Sequence, residues 1–188
     1  MMIRLKHLLR EIKDTDLDRL LTKIKNKQFR FFASGDNGRV YEIDGEDKLF
    51  KITKEMDEFE VASIIVGRYA EFTTFIPVYY VTDANAEGFP DLAYIMSKAD
   101  KLTPNYVQSL NQFIDAFKTY AYDEGGEVTI FDYLDADGGR NHDVKLINFL
   151  RALHADIRKM NILDFELDLD FKTDNIMIWN GNLVMIDW

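Results

Sequence analysis

Apolar positions recur along this chain with two different periods, and the change from one to the other divides it. Residues 3 to 27 carry Ile3, Leu5, Leu8, Leu9 and Ile12, then Leu17, Leu20, Leu21 and Ile24. This helical spacing is broken at Asp14-Thr15-Asp16, which reads as a helix stop followed by a new N-cap. Two short amphipathic helices packed on the body of the protein are predicted. From Gln28 the period falls to two. Phe29 to Ala33, Arg39 to Ile43 and Lys48 to Thr53 read as three strands in meander order, divided by the turn-rich stretches Ser34–Gly38 and Asp44–Asp47. A helix is predicted from about Glu55 to Tyr69 with Phe59, Ala62, Ile65, Val66 and Tyr69 as its apolar stripe, followed by strands at Ile76–Val81 and Leu92–Met96.

After Ser97–Lys101 the pattern turns helical again. Pro104 to Tyr120 is periodic in Val107, Leu110, Phe113, Ile114 and Phe117, and Asp143 to Met160 in Leu146, Ile147, Leu150, Leu153 and Ile157. Between them, Asp123-Glu-Gly-Gly and Asp135-Ala-Asp-Gly-Gly-Arg140 read as exposed loops. Two last apolar runs, Ile176–Trp179 and Leu183–Ile186, meet through Asn180-Gly181, a dipeptide that accepts positive φ and closes a tight hairpin. The pattern therefore predicts an α+β protein with a strand-rich front and a helical back, the closing hairpin lying at the cleft between them. The expected divisions are residues 1–27 for the helices, 28–98 for the front and 99–188 for the back.

The closing stretch is also where candidate chemistry gathers. A hairpin in that register folds Asp187 back beside Asn175, and an amide oxygen next to a carboxylate can ligate a hard cation such as magnesium. Asp170 stands one loop earlier, within reach of a hydroxyl proton, in Asp170-Phe-Lys172-Thr-Asp-Asn175.

Composition narrows the function classes. The 188 residues are 47% hydrophobic, enough to bury a core, and hold no cysteine, which excludes thiol catalysis and thiolate zinc sites. Against 33 Asp plus Glu stand 23 Lys plus Arg, for a formal charge of −10. Such a surface repels nucleic acid and acidic membranes, and no apolar run has membrane-span length, so a soluble cytoplasmic protein is expected. His7, His142 and His154 are scattered singly and read as surface or packing residues.

Two further features suit an anionic ligand. In Ala33-Ser-Gly35-Asp36-Asn37-Gly38-Arg-Val40 the glycines would let backbone N–H groups approach phosphate oxygens. Lys51, in Leu49-Phe-Lys51-Ile52, points to the opposite face from Phe50 and Ile52, and either Glu58 or Glu60 on the following helix could fix its ammonium. Glu60 is preferred for its distance from Ile76-Pro77.

In this order the parts resemble the protein-kinase-like superfamily. Ala33-x-Gly35-x-x-Gly38-x-Val40 looks like its glycine loop with alanine for the first glycine, and Leu49-Phe-Lys51 like the segment of its nucleotide-binding lysine. Tyr94-Ile-Met96-Ser-Lys-Ala-Asp100 is similar to the fifth strand and hinge, Asp170 to Asn175 to the catalytic loop, and Ile186-Asp187-Trp188 to the metal-binding Asp-Phe-Gly. Phe75-Ile-Pro-Val-Tyr-Tyr-Val and Asp174-Asn-Ile-Met-Ile-Trp-Asn-Gly are also similar to early protein kinases of short-tailed bacteriophages.

The resemblance implies a two-lobed kinase-like fold, with one helix in a sheet-rich N-lobe and a reduced helical C-lobe ending at the metal-binding Asp. It implies ATP and Mg2+ as cofactors. Asp170 would accept or orient the substrate hydroxyl proton, and Lys172 would balance charge on the phosphoryl group. Lys51, oriented by Glu60, would hold the α- and β-phosphates, and Gly35 to Gly38 with Val40 would cover them. Met96, Ser97, Lys98 and Ala99 would face adenine, and Asn175 and Asp187 would hold magnesium. Lys172 tilts the acceptor toward a protein Ser/Thr hydroxyl, with a host or bacterial protein as substrate.

Asp168 and Leu169 stand where the family has the His and Arg of His-Arg-Asp, and the sequence ends at Trp188, where the family continues into an activation segment. Two other readings follow from these departures: a pseudokinase-like module that binds a host or bacterial protein without phosphorylating it, and the front part of a longer kinase.

Overall fold

The computed structural model describes residues 14–35, 38–83, 92–125, 128–138, 140, 142–160 and 171–187. The chain forms two compact units. The first comprises residues up to Phe72 together with Ile76–Lys98; the second comprises Thr73–Phe75 and Ala99 onward. The α+β class read from the apolar periods is the one found. The first of the two predicted N-terminal helices lies outside the described residues.

In the first unit α1 (Asp14–Lys25) precedes β1 (Phe29–Ser34), β2 (Gly38–Ile43) and β3 (Lys48–Thr53). Then come α2 (Met56–Ile65), β4 (Val78–Asp83) and β5 (Leu92–Ser97). The five strands make one antiparallel sheet in the order β1-β2-β3-β5-β4. The first three strands run as the predicted meander; β5 then inserts beside β3 and leaves β4 at the edge. Because side chains alternate across a strand, the sheet has two distinct faces. Leu20 and Ile24 of α1 pack with Ile43, Phe50, Ala93 and Ile95 on one of them. The other face carries Lys51 and Tyr94, and both are bonded to Glu58 of α2.

Helix α2 is shorter than its sequence predicts, and its buried stripe keeps Ala62 and Ile65 of the predicted one but is turned toward Glu58 and Val61. Val66 and Gly67 end it, Gly67 with φ 68°, a left-handed conformation that suits glycine. Its buried residues are Glu58, Val61, Ala62 and Ile65, so the true stripe starts on an acid, which a search for apolar residues passes over.

The second unit is built on α3 (Pro104–Glu124) and α5 (Val144–Met160). Proline begins α3 and Gly125, in the left-handed region, ends it. The carboxylate of Asp143 accepts from the backbone N–H of Lys145 and Leu146 at the start of α5. Part of the second stretch read as a loop is helical: α4 (Ile130–Tyr133), in a segment the sequence left unassigned, runs into a π-turn at Leu134–Gly138. The Thr129 and Asp132 side chains satisfy each other's backbone N–H groups in a capping box at its start.

The closing hairpin pairs β6 (Ile176–Trp179) with β7 (Asn182–Met185). Asn180 at φ 49° and Gly181 at φ 80° are its two central turn residues. They close it as a two-residue turn, so the second strand starts one residue earlier than predicted. Asp100 exchanges both backbone hydrogen bonds with Ile178 at 2.8 Å, and Met185 donates its N–H to the Thr74 carbonyl at 2.7 Å. Thr74 is held in turn by α5, since buried Asp156 accepts from its backbone N–H at 3.2 Å and its hydroxyl at 2.9 Å. Among the described residues no helix is long and apolar enough to cross a membrane.

Candidate active site

Lys51 occupies the middle strand of the sheet, with β2 on one side and β5 on the other. Alternation sends Phe50 to the α1 face and Lys51 to the α2 face, where only 7% of it is exposed. There it forms an ion pair with Glu58, itself 2% exposed. The same carboxylate accepts the hydroxyls of Tyr94 and, at 2.7 Å, Thr53. Thr53 also accepts the N–H of Glu55 at 3.1 Å, tying the start of α2 to the end of β3. A buried ion pair persists when hydrogen bonds satisfy the remaining lone pairs, and Thr53 and Tyr94 do this for Glu58.

The expected partner was Glu60, and the structure corrects this. Glu60 is exposed. Two residues along a helix turn a side chain by about 200°, so with Glu58 inward Glu60 faces away from the sheet. Tyr94 and Thr53 had no assigned role in the sequence. The period of two could have found them, because Tyr94 lies directly across from Lys51 in the β3–β5 register and Thr53 lies two residues along the same strand.

The glycine loop divides into two cases. Asp36 and Asn37 lie outside the described residues. Gly35 donates its N–H to the Gly38 carbonyl at 3.1 Å and has open space where a Cβ would stand. At Gly38 a Cβ would come within 2.3 Å of the Ile52 carbonyl oxygen, so this glycine is required by the close approach of β2 to β3. Val40 is half-buried directly across from Lys51.

Met96 is buried opposite Leu49 and Val78. The backbone N–H of Ser97 goes to the Pro77 carbonyl and that of Lys98 to the Asp47 carbonyl, both at 3.0 Å. Of the groups expected to face adenine, two amides are therefore committed to the protein's own backbone. The Lys98 ammonium pairs with Glu42 at 2.5 Å, 5.5 Å from the Phe32 ring centroid. Hydrogen bonds from Lys98 and then Arg30 hold the Glu42 carboxyl below the usual glutamate range.

In the second unit Asn175 is 4% exposed. Its backbone N–H reaches the Lys172 carbonyl at 3.1 Å, and its carbonyl accepts from Ile186 at 2.9 Å. The register beyond β6 and β7 thus continues by one pair, setting Ile186 across from Asn175, with Asp187 the next residue along the chain. An amide oxygen and a carboxylate are hard donors that fit magnesium better than a soft metal. Lys172 is exposed. Asp170 lies outside the described residues, as do Asp168, Leu169 and Trp188.

Two of the three histidines pack against aromatic rings. His154 stacks on Phe131 at 4.3 Å, and His142 meets the Phe113 ring edge-on at 5.1 Å with its Nε2 3.3 Å from the Tyr133 hydroxyl. Burial pushes the His142 imidazole below its ordinary value and the Tyr133 phenol above its own.

No protein-family model and no curated protein matches the sequence. Among solved structures, the streptomycin–ATP–APH(2")-IIa ternary complex is similar at 17% identity over 94% of this chain and 71% of that one, with a TM-score of 0.32. A TM-score that low assigns neither a fold nor a substrate.

Proposed function

We infer that this chain is an ATP- and magnesium-dependent phosphotransferase of the protein-kinase-like type, acting on a protein Ser/Thr hydroxyl. The observation that carries this reading is the buried Lys51–Glu58 pair, completed by Tyr94 and Thr53. Replacing a buried ion pair with apolar residues is often neutral or stabilising, so stability alone gives little reason to keep one. A lysine held rigid on a middle strand by a helix carboxylate is what orienting a nucleotide's phosphates requires. The pairing of Asn175 with Ile186, the residue before Asp187, supports the same reading.

In this reading Lys51 carries the α- and β-phosphates and Glu58 fixes its ammonium. Asn175 and Asp187 offer oxygen donors to magnesium, which when bound neutralises charge on the phosphate oxygens. Asp170 takes the hydroxyl proton of the acceptor, and Lys172 balances charge on the group being transferred. The backbone at Gly35–Gly38 covers the phosphates, and Met96 to Ala99 line the adenine.

The test is incorporation of labelled phosphate from ATP and magnesium into a protein mixture and, separately, into small-molecule alcohols. Lys51→Met and Asp187→Ala each abolish it, Glu58→Gln lowers it by at least about tenfold, and Glu60→Gln leaves it unchanged. Equal incorporation by Lys51→Met and the unmodified protein would defeat the enzymatic reading. Transfer confined to small alcohols would defeat the choice of acceptor. ATP binding without transfer would favour the non-catalytic binding module.

A further inference from the structure

The outward side of α5 is cationic in an acidic protein. Val144, Lys145, Asn148, Arg151, Arg158 and Lys159 are exposed along this helix, whose only carboxylate, Asp156, is buried and accepts from Thr74 and Lys159. Four cations thus stand on one helix of a chain whose formal charge is −10.

Two grooves flank the first half of α5 and share Asn148 as a wall. One, of about 390 Å³, lies toward the π-turn and is lined by Arg140, Arg151, Asp135, Leu134 and Val144. The other, of about 460 Å³, lies toward the β6–β7 turn and is lined by Lys145, Tyr106, Phe149 and Leu183. Three cations face a single carboxylate across the pair. Val144, on the wall of the first groove, is 70% exposed, an apolar side chain presented to solvent on a cationic rim. The N–H groups at the start of α5 are already capped by Asp143, so any anion here would be met by side chains.

We propose that the first half of α5, with its two grooves, docks a short acidic segment of another protein, its carboxylates on Arg151 and Lys145 and an apolar side chain against Val144. Charge complementarity selects an anionic occupant. The negative field of the rest of the chain opposes a long polyanion, whose charges must extend past the patch, more than a short segment whose charges end within it. The apolar lining gives the segment an anchor that a free phosphate could not use. The site is independent of the nucleotide-binding residues proposed above.

The test uses fluorescence anisotropy with a labelled peptide of alternating glutamate and leucine. Binding should saturate and weaken with added salt. It should fall about tenfold or more in each of Arg151→Glu and Lys145→Glu and by a smaller factor in Val144→Ser, with unchanged melting temperatures because all three positions are exposed. A peptide with lysine for glutamate should not bind. Wild-type affinity in both charge reversals would overturn the proposal, as would equal binding of a peptide with serine for leucine. Displacement of the peptide by a single-stranded oligonucleotide of equal charge at equal concentration would replace it with a nucleic-acid site. A dimer of the free protein that both reversals dissolve would assign the face to a second copy. Phosphate-transfer activity enters none of these readouts, so loss of the kinase reading would leave this one standing.

Discussion

At the residue scale, the Lys51–Glu58 pair makes the sharpest demand on the sequence. Removing one partner of a buried pair leaves an uncompensated charge, so Glu58→Ala should cost about 3–5 kcal/mol in denaturant unfolding. The double variant Lys51→Met, Glu58→Leu should recover most of that loss. A single variant as stable as wild type would show that the pair is solvated. Lys51 was legible because apolar neighbours bracket it on a strand. Glu58 was not, since hydropathy assigns every glutamate to water and only its angular position on α2 distinguishes it from Glu60.

Gly38 and Gly35 separate in the same way. With Ile52 backbone 2.3 Å from its Cβ position, Gly38→Ala should destabilise by about 1–3 kcal/mol. Gly35→Ala, with open space, should stay within about 0.5 kcal/mol of wild type, so any loss of nucleotide binding there would report on phosphate contact rather than folding. His142 gives the pH dependence. Its folded value lies below the unfolded 6.5 because burial disfavours the charged ring. Its neutral form therefore contributes stability that is complete above that value and is lost as pH falls through the folded one. His142→Gln should be less stable than wild type at pH 7.5, and the gap in melting temperature should narrow toward pH 5. A gap that widens on acidification would reverse the assignment.

At the element scale, strands were read well and short helices poorly. The front strands came within about two residues of their ends because period-two alternation is forced when each face of a sheet has its own environment. Helix α4 has four residues, too few for a 3.6-residue period to show. Its one local signature, Thr129 three residues before Asp132, carries aspartate where a capping box usually has Glu or Gln. Helix α1 is a core element of its unit rather than an appendage: Leu20 and Ile24 are 3% and 4% exposed against the sheet. Leu20→Ala should cost about 2–5 kcal/mol, read as a shift in denaturant midpoint, whereas a shift of only tenths would place α1 outside the cooperative unit.

At the scale of the whole molecule, the chain passes between its two units three times, because Thr73–Phe75 belongs to the second while residues on both sides of it belong to the first. The sequence marks the passage near Lys98 by a change of period. It gives no sign of the other two, because a three-residue stretch has no period and its anchor, Asp156, lies 82 residues from Thr74.

That short excursion works as a stitch. A protease nick between Lys98 and Lys101 cuts one thread only: the amino-terminal piece still holds Thr74 against Asp156 and its carbonyl under Met185. The nicked fragments should co-elute on gel filtration without denaturant, because the amino-terminal one carries three residues of the second unit, and Asp156→Ala should loosen that association by removing two of the hydrogen bonds that seat Thr74.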